Sequence, residues 1–199
     1  MKSLPMPKAF IEIEVRDKKG KILEKRREEA HSWVGNFIKA LYGLLATSAI
    51  KNTTISIIDT ENQSIGFPQV PSESDSVLFV KAVAGNDDFG IIVGSGNTPV
   101  TLDDYNLEAK IPHGTGTGQI QYNYTTMEEP VISDNNISFR IIRTFTNVSG
   151  GDIIVREIGL VALKYSKYFL IARDVLETPV TVPHEATLTV RYIISYSLG

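Results

Sequence analysis

Proton-transfer chemistry would start from His31, His113 or His184, the three histidines of this sequence and its natural titrating groups near neutrality. Each stands alone. None has metal-ligand spacing to another, and His113 and His184 each follow a proline in a turn. The absence of cysteine removes disulfides, thiolate zinc, iron–sulfur ligation and a cysteine nucleophile together. No serine occupies a G-x-S-x-G elbow. Gly94-Ser-Gly96 and Gly114-Thr-Gly-Thr-Gly118 look suited to phosphate, but they match neither nucleotide-loop pattern and lead into no helix. Asp87-Asp88 and Asp103-Asp104 lack the alternation of a calcium loop, so turn formation is the expectation. Glu128, Glu129 and Glu157 could be drawn as a glycosidase pair, yet their spacing singles them out from no other carboxylates. No catalytic residue, metal ligand or cofactor is therefore expected.

The elements that must carry these residues belong to one domain spanning 1–199. Its composition, 42% hydrophobic with 20 basic against 23 acidic side chains, suits a single core and rules out a disordered tail. A net charge of -3 offers no basic field to a phosphate backbone, so nucleic acid is not an expected partner. Met1 to Phe10 lacks the apolar run of a secretory signal. Trp33 to Ile50 comes nearest to a membrane span, but Asn36 and Lys39 interrupt it at helical spacing, which points to a buried helix face and no span. Five N-x-[ST] sequons begin at Asn52, Asn62, Asn123, Asn136 and Asn147; they fit either glycan acceptors or the turns of a β-rich surface.

Ile11, Ile13 and Val15 alternate with polar residues, and Asp17-Lys-Lys-Gly20 supplies a turn, so the chain is expected to open with a hairpin. Trp33, Val34, Phe37, Ile38, Leu41, Leu44 and Leu45 then recur at helical steps across about Ser32 to Ser48, with Ser32 as N-cap. So wide a stripe must lie on a sheet or on a neighbouring subunit. Strand patterns follow at Thr54–Ile58, Val77–Val83, Gly90–Val93, Gln119–Thr125, Asn136–Thr146, Ile153–Leu163, Tyr168–Arg173 and Ala186–Ser197, the last with the pattern of a central strand. Asp59 to Ser76 and Leu102 to Gly118 read as long loops. The fold class is mainly β, an antiparallel sandwich of jelly-roll type with an N-terminal hairpin and one amphipathic helix. Residues 9–50 form the hairpin and helix, and 51–199 the sandwich body.

Three blocks resemble structural proteins of tailed bacteriophages and related archaeal viruses. They are the helix from His31-Ser-Trp-Val-Gly-Asn-Phe to Leu41-Tyr42, the turn Ile91-Ile-Val-Gly-Ser-Gly-Asn-Thr-Pro-Val-Thr-Leu-Asp-Asp-Tyr-Asn-Leu107, and the stretch from Phe139 through Glu157-Ile-Gly159-Leu160 to Arg173-Asp174 and the final strand. Together they cover about half the chain, and Gly94-Ser-Gly96 departs from the Gly-Thr-Gly of that pattern. The resemblance implies a virion component without fixing head or tail, and marks Gly94, Gly96, Asp104, Glu157, Gly159 and Arg173 as a structural motif.

Read physically, Gly94 and Gly96 would supply the positive φ of a tight turn, and Thr101 would cap a helical turn carrying Asp103 and Asp104 while Leu107 points inward. Phe139 to Phe145 would face Ile153 to Leu163 across a Gly150-Gly151 hairpin turn, with Arg143 or Arg173 paired to Glu157. The expected function is that of a non-enzymatic virion subunit, assembling with itself and other virion proteins in a capsid, its decoration or a tail. Trp33, Phe37, Leu41 and Tyr42 are its expected contact residues. The alternative is a carbohydrate-binding module, for which Tyr105, Tyr122, Tyr124, Tyr165 and Tyr168 are the available aromatics.

Overall fold

The computed structural model describes residues 8–30, 33–45, 55–67, 78–164 and 166–197. Ile11, Ile13 and Val15 are buried on alternate positions of β1 (Lys8–Arg16), and the chain reverses into β2 (Ile22–Ala30). Asp17 makes that reversal: its Oδ1 accepts the Lys19 and Lys21 amides, and Gly20 takes φ +81°. The helix α1 (Gly35–Leu45) is shorter than its apolar pattern; Ser32 and 46–48 lie outside the described residues.

Among the described residues nine strands follow: β3 (Ile55–Ile58), β4 (Ser64–Phe67), β5 (Gly90–Gly94), β6 (Gln121–Met127), β7 (Val131–Ser133), β8 (Asn136–Thr146), β9 (Ile153–Lys164), β10 (Lys167–Val182) and β11 (Thr187–Ser197). A large sheet runs β2-β1-β11-β8-β6, with β7 also on β8; a smaller one runs β10-β9-β5; β3 and β4 pair separately. All these pairings are antiparallel. The fold is thus mainly β with one short helix, and β11 is central as its sequence pattern requires.

One hydrophobic cluster joins the two larger sheets, drawing Ile13, Val15, Leu188 and Val190 from one and Ile91, Val155, Leu160 and Val180 from the other. A second, around Ala40, Ile57 and Phe169, seats the helix on the small sheets. Of the helix stripe, Val34, Trp33 and Phe37 pack on the first cluster, while Ile38 is exposed. Trp33 and Phe37 are half-buried, stacked on each other at 4.1 Å. The side chains of Leu41 and Tyr42 lie outside the described residues.

The sequence reading needs four corrections here. Residues 78–83 form no strand, only a bridge from Phe79 to Leu163. The stretch read as a loop from Asp59 contains β4, and β10 continues well beyond Arg173 through an irregularity between Val175 and Val180. Most consequential, β8 and β9 are no hairpin but belong to different sheets. Both edges of β8 are already taken, by β11 on one side and by β6 and β7 on the other. The chain between them turns a corner at buried Asn147, whose Nδ2 donates to Gly151 O (2.8 Å) and Val182 O (2.7 Å) while its Oδ1 accepts from Ser149.

Candidate functional site

The motif residues meet on the small sheet. In the β9–β10 ladder Glu157 lies opposite Val175 and Arg173 opposite Gly159, so the two charged side chains are diagonal neighbours. Glu157 is 0% and Arg173 2% exposed, and Arg173 Nε donates to Glu157 Oε2 at 2.8 Å. Gly159 leaves the space between them to a side chain from elsewhere: a Cβ there would stand 2.9 Å from Leu107 Cδ2. Leu107 is buried, as expected. It belongs to a strap, residues 95–111, that lies over this part of the sheet.

Charge holds the strap down. Glu157 also accepts the amides of Gly96 (3.1 Å), Glu108 (3.1 Å) and Ala109 (2.8 Å), so its buried carboxylate meets four donors. Arg173 Nη1 reaches Asp104 Oδ2 at 2.8 Å, and Nη2 reaches the carbonyl and hydroxyl of Thr98, both at 3.2 Å. Glu108 accepts the amides of Asn97 and Thr98. Asp104 in turn accepts the amide and hydroxyl of Thr101, and its own amide donates to Thr101 O at 3.3 Å; residues 102–105 do not continue into the expected turn of helix.

Burial works to raise the Asp104 carboxyl, but hydrogen bonds from Arg173 and Thr101 outweigh it and hold the group below its ordinary value. Burial likewise works against the charge on Arg173, and its bonds to Asp104 and Glu157 prevail and raise it. The arrangement is a closed knot of opposite charges. Of the two arginines considered for Glu157, Arg173 is the partner.

Gly94 and Gly96 serve this knot differently from the expectation. Neither has a positive φ. A Cβ on Gly94 would lie 2.5 Å from Glu157 Oε1 and 2.7 Å from Ala109 O, and one on Gly96 would lie 2.5 Å from Glu157 Oε1 and from Glu108 Cβ. Close approach of backbone to carboxylate, not left-handed geometry, requires glycine at both positions.

Arg143, the other arginine considered for Glu157, is a second buried cation with partners of its own. It is 0% exposed, and its guanidinium donates to five backbone carbonyls, those of Asn123, Phe89, Ile91, Val83 and Asn86. The Tyr122 ring lies beside it at 4.8 Å. Burial lowers its pKa to about 10, which leaves it charged at neutral pH. A signal was present: the arginine stands at an inward position between Ile141 and Phe145, where alternation calls for an apolar residue. Tyr192, also fully buried, donates to Asp174 Oδ2 at 3.0 Å.

Two concave regions flank these groups. One, of about 460 Å³, is bounded by the strap residues Asp103, Tyr105 and Asn106 and by Thr60 and Glu61; its polar wall includes Arg173. The other, of about 500 Å³, opens between β2 and β10 beside Ile11, Glu28, Val100 and Glu177. Among the described residues no group of three or more His, Asp or Glu side chains stands together to hold a metal. Asp87 takes the His113 amide and Lys110, and Glu128 pairs with exposed Arg140. Among the described residues no helix is long and apolar enough to cross a membrane.

Of the five tyrosines, Tyr122 is buried, Tyr168 is half-buried and stacked on Phe89, and Tyr165 lies outside the described residues. Tyr105 and Tyr124 are 36% and 64% exposed. Among the sequons, Asn147 is buried in the corner, Asn123 bonds Thr144 and Thr146, Asn62 is exposed in a turn, and Asn52 lies outside the described residues. No protein-family model matches the chain, and neither a curated protein nor a solved structure matches it significantly.

Proposed function

We propose that the chain is a non-enzymatic structural protein of a virion, a repeated subunit of a capsid, a capsid decoration or a tail, built by self-assembly. One observation carries the reading. Gly94, Gly96, Asp104, Glu157, Gly159 and Arg173, the structural motif that the resemblance to phage structural proteins marks, converge in a single buried knot whose groups satisfy one another. Such a knot fixes the shape of an outer surface and presents that surface as a rigid unit. In this reading the facing sheets form a sandwich of jelly-roll type, and Trp33, Phe37, Leu41 and Tyr42 lie at or near the contact with other subunits. The test is sedimentation and negative-stain microscopy of the purified chain, together with mass spectrometry of particles from its source. The expected result is a closed assembly of three, five or six subunits and presence in the particle. A strict monomer at the highest soluble concentration, absent from particles, overturns it.

A second reading has an observation of its own. Tyr105 stands half-open on the rim of the groove it shares with Asp103, Asn106 and Glu61, which suits a sugar ring stacked on the tyrosine with hydroxyls bound by the polar wall. Binding on a glycan array that disappears in Tyr105→Ala would favour a carbohydrate-binding module.

A further inference from the structure

Two histidines hold the end of the sandwich where the chain passes between sheets. Three connections do this: 95–120 from β5 to β6, 147–152 from β8 to β9, and 183–186 from β10 to β11. Register places their large-sheet ends side by side, since Gln121 and Thr187 both pair with Thr146. His113, in the first connection, accepts the Tyr122 amide through Nδ1 at 3.0 Å. His184, in the third, accepts the Gly150 amide of the second through Nδ1 at 3.2 Å. Each bond requires a bare Nδ1, hence a neutral ring with its proton on Nε2.

We propose that His113 and His184 are acid-sensitive clasps, and that protonation of the two rings opens these two contacts while the rest of the crossovers and the sheets stay in place. A proton on Nδ1 turns each acceptor into a donor facing an N–H, so the clasp opens when its ring is protonated. Asp87 accepts the His113 amide and pairs with Lys110, which also reaches Asp88; Tyr122 meets the ring edge-on at 6.3 Å, with Arg143 beyond it. Next to His184 the Glu185 carboxylate interacts with the imidazole and is shared with Lys18. The exposed rings meet protons without any unfolding. The hydrophobic cluster between the sheets contains neither histidine, so the release is local.

The proposal stands apart from the assembly reading and is tested on the full chain. Imidazole nitrogen NMR at pH about 7.5 is expected to show both rings with the proton on Nε2. On acidification to about pH 5, protection of the Tyr122 amide against exchange falls about tenfold and the Gly150 amide resonance moves with the His184 ring. His113→Asn and His184→Asn keep an acceptor oxygen near the Nδ1 position and do not titrate. In H113N the Tyr122 amide is expected to become insensitive to this pH change while Gly150 still responds, and H184N reverses the pattern. A proton on Nδ1 at neutral pH, or the same acid response in wild type and both variants, overturns the proposal. The wild-type nitrogen measurement decides even if a variant fails to fold.

Discussion

Glu157 and Arg173 lie two residues apart in the β9–β10 register, joined at 2.8 Å and almost wholly out of water. Two ions moved into a protein interior lose several kcal/mol each of hydration, so the pair depends on each of its charged atoms finding further partners. The strap provides those partners, which links the buried pair to the outer surface.

Glu157→Gln is expected to destabilise the fold by about 3 kcal/mol, because the amide NH2 confronts donor groups and Arg173 loses its innermost counter-charge. Denaturant unfolding measures it, and hydrogen exchange should show residues 95–111 opening first. A cost under about 1 kcal/mol would mean that the knot is ornamental to stability.

Gly94→Ala and Gly20→Ala separate two reasons for glycine. Gly20 has φ +81° with open space around it, so alanine should cost about 1 kcal/mol. At Gly94 the added Cβ meets the Ala109 carbonyl and the Glu157 carboxylate, neither free to move, and the loss should exceed that at Gly20 clearly in thermal melts. Equal losses would contradict the close-approach account.

Acid should weaken the strap at a definite place on the pH scale. The folded Asp104 carboxyl lies below its unfolded value, so its contribution is complete above about pH 4 and disappears as pH falls through the lower folded value. Stability measured from about pH 5 to about pH 2 should fall less steeply in Asp104→Asn than in wild type. Parallel curves would remove Asp104 from the account.

Arg143→Lys should cost at least about 3 kcal/mol, because an ammonium has three N–H groups where five carbonyls await donors and it lacks the planar reach of a guanidinium. Equilibrium unfolding gives the number. A nearly neutral result would show that water can stand in for the missing donors.

The sequence made the local elements legible and the sheet assignment only in part. The N-terminal hairpin, β8 and β11 follow from alternation, because each presents one apolar face to a core. The β8–β9 connection misled because Gly150-Gly151 resembles a tight turn, while the deciding group is Asn147, whose buried amide ties Gly151 of the connection to Val182 at the end of β10, and no local pattern reports that. The partnership of Glu157 with Arg173 was readable as a buried pair of opposite charges. That the same carboxylate also collects three strap amides was not, since backbone donors carry no residue identity. Arg143 could have been recognised by its place on an apolar face, whereas its five carbonyl partners come from segments scattered from Val83 to Asn123.

The corner at Asn147 also sets an order of events in biosynthesis. Its side-chain amide must donate both protons inside the folded chain, and a sugar attached to that nitrogen would replace one proton and find no room. In a compartment where transferase and folding compete for the nascent chain, whichever acts first decides the product. Once closed, the corner is beyond the enzyme's reach; once tagged, the polypeptide cannot complete it. Material intended for assembly work is therefore best produced in a bacterial cytoplasm lacking such transferases.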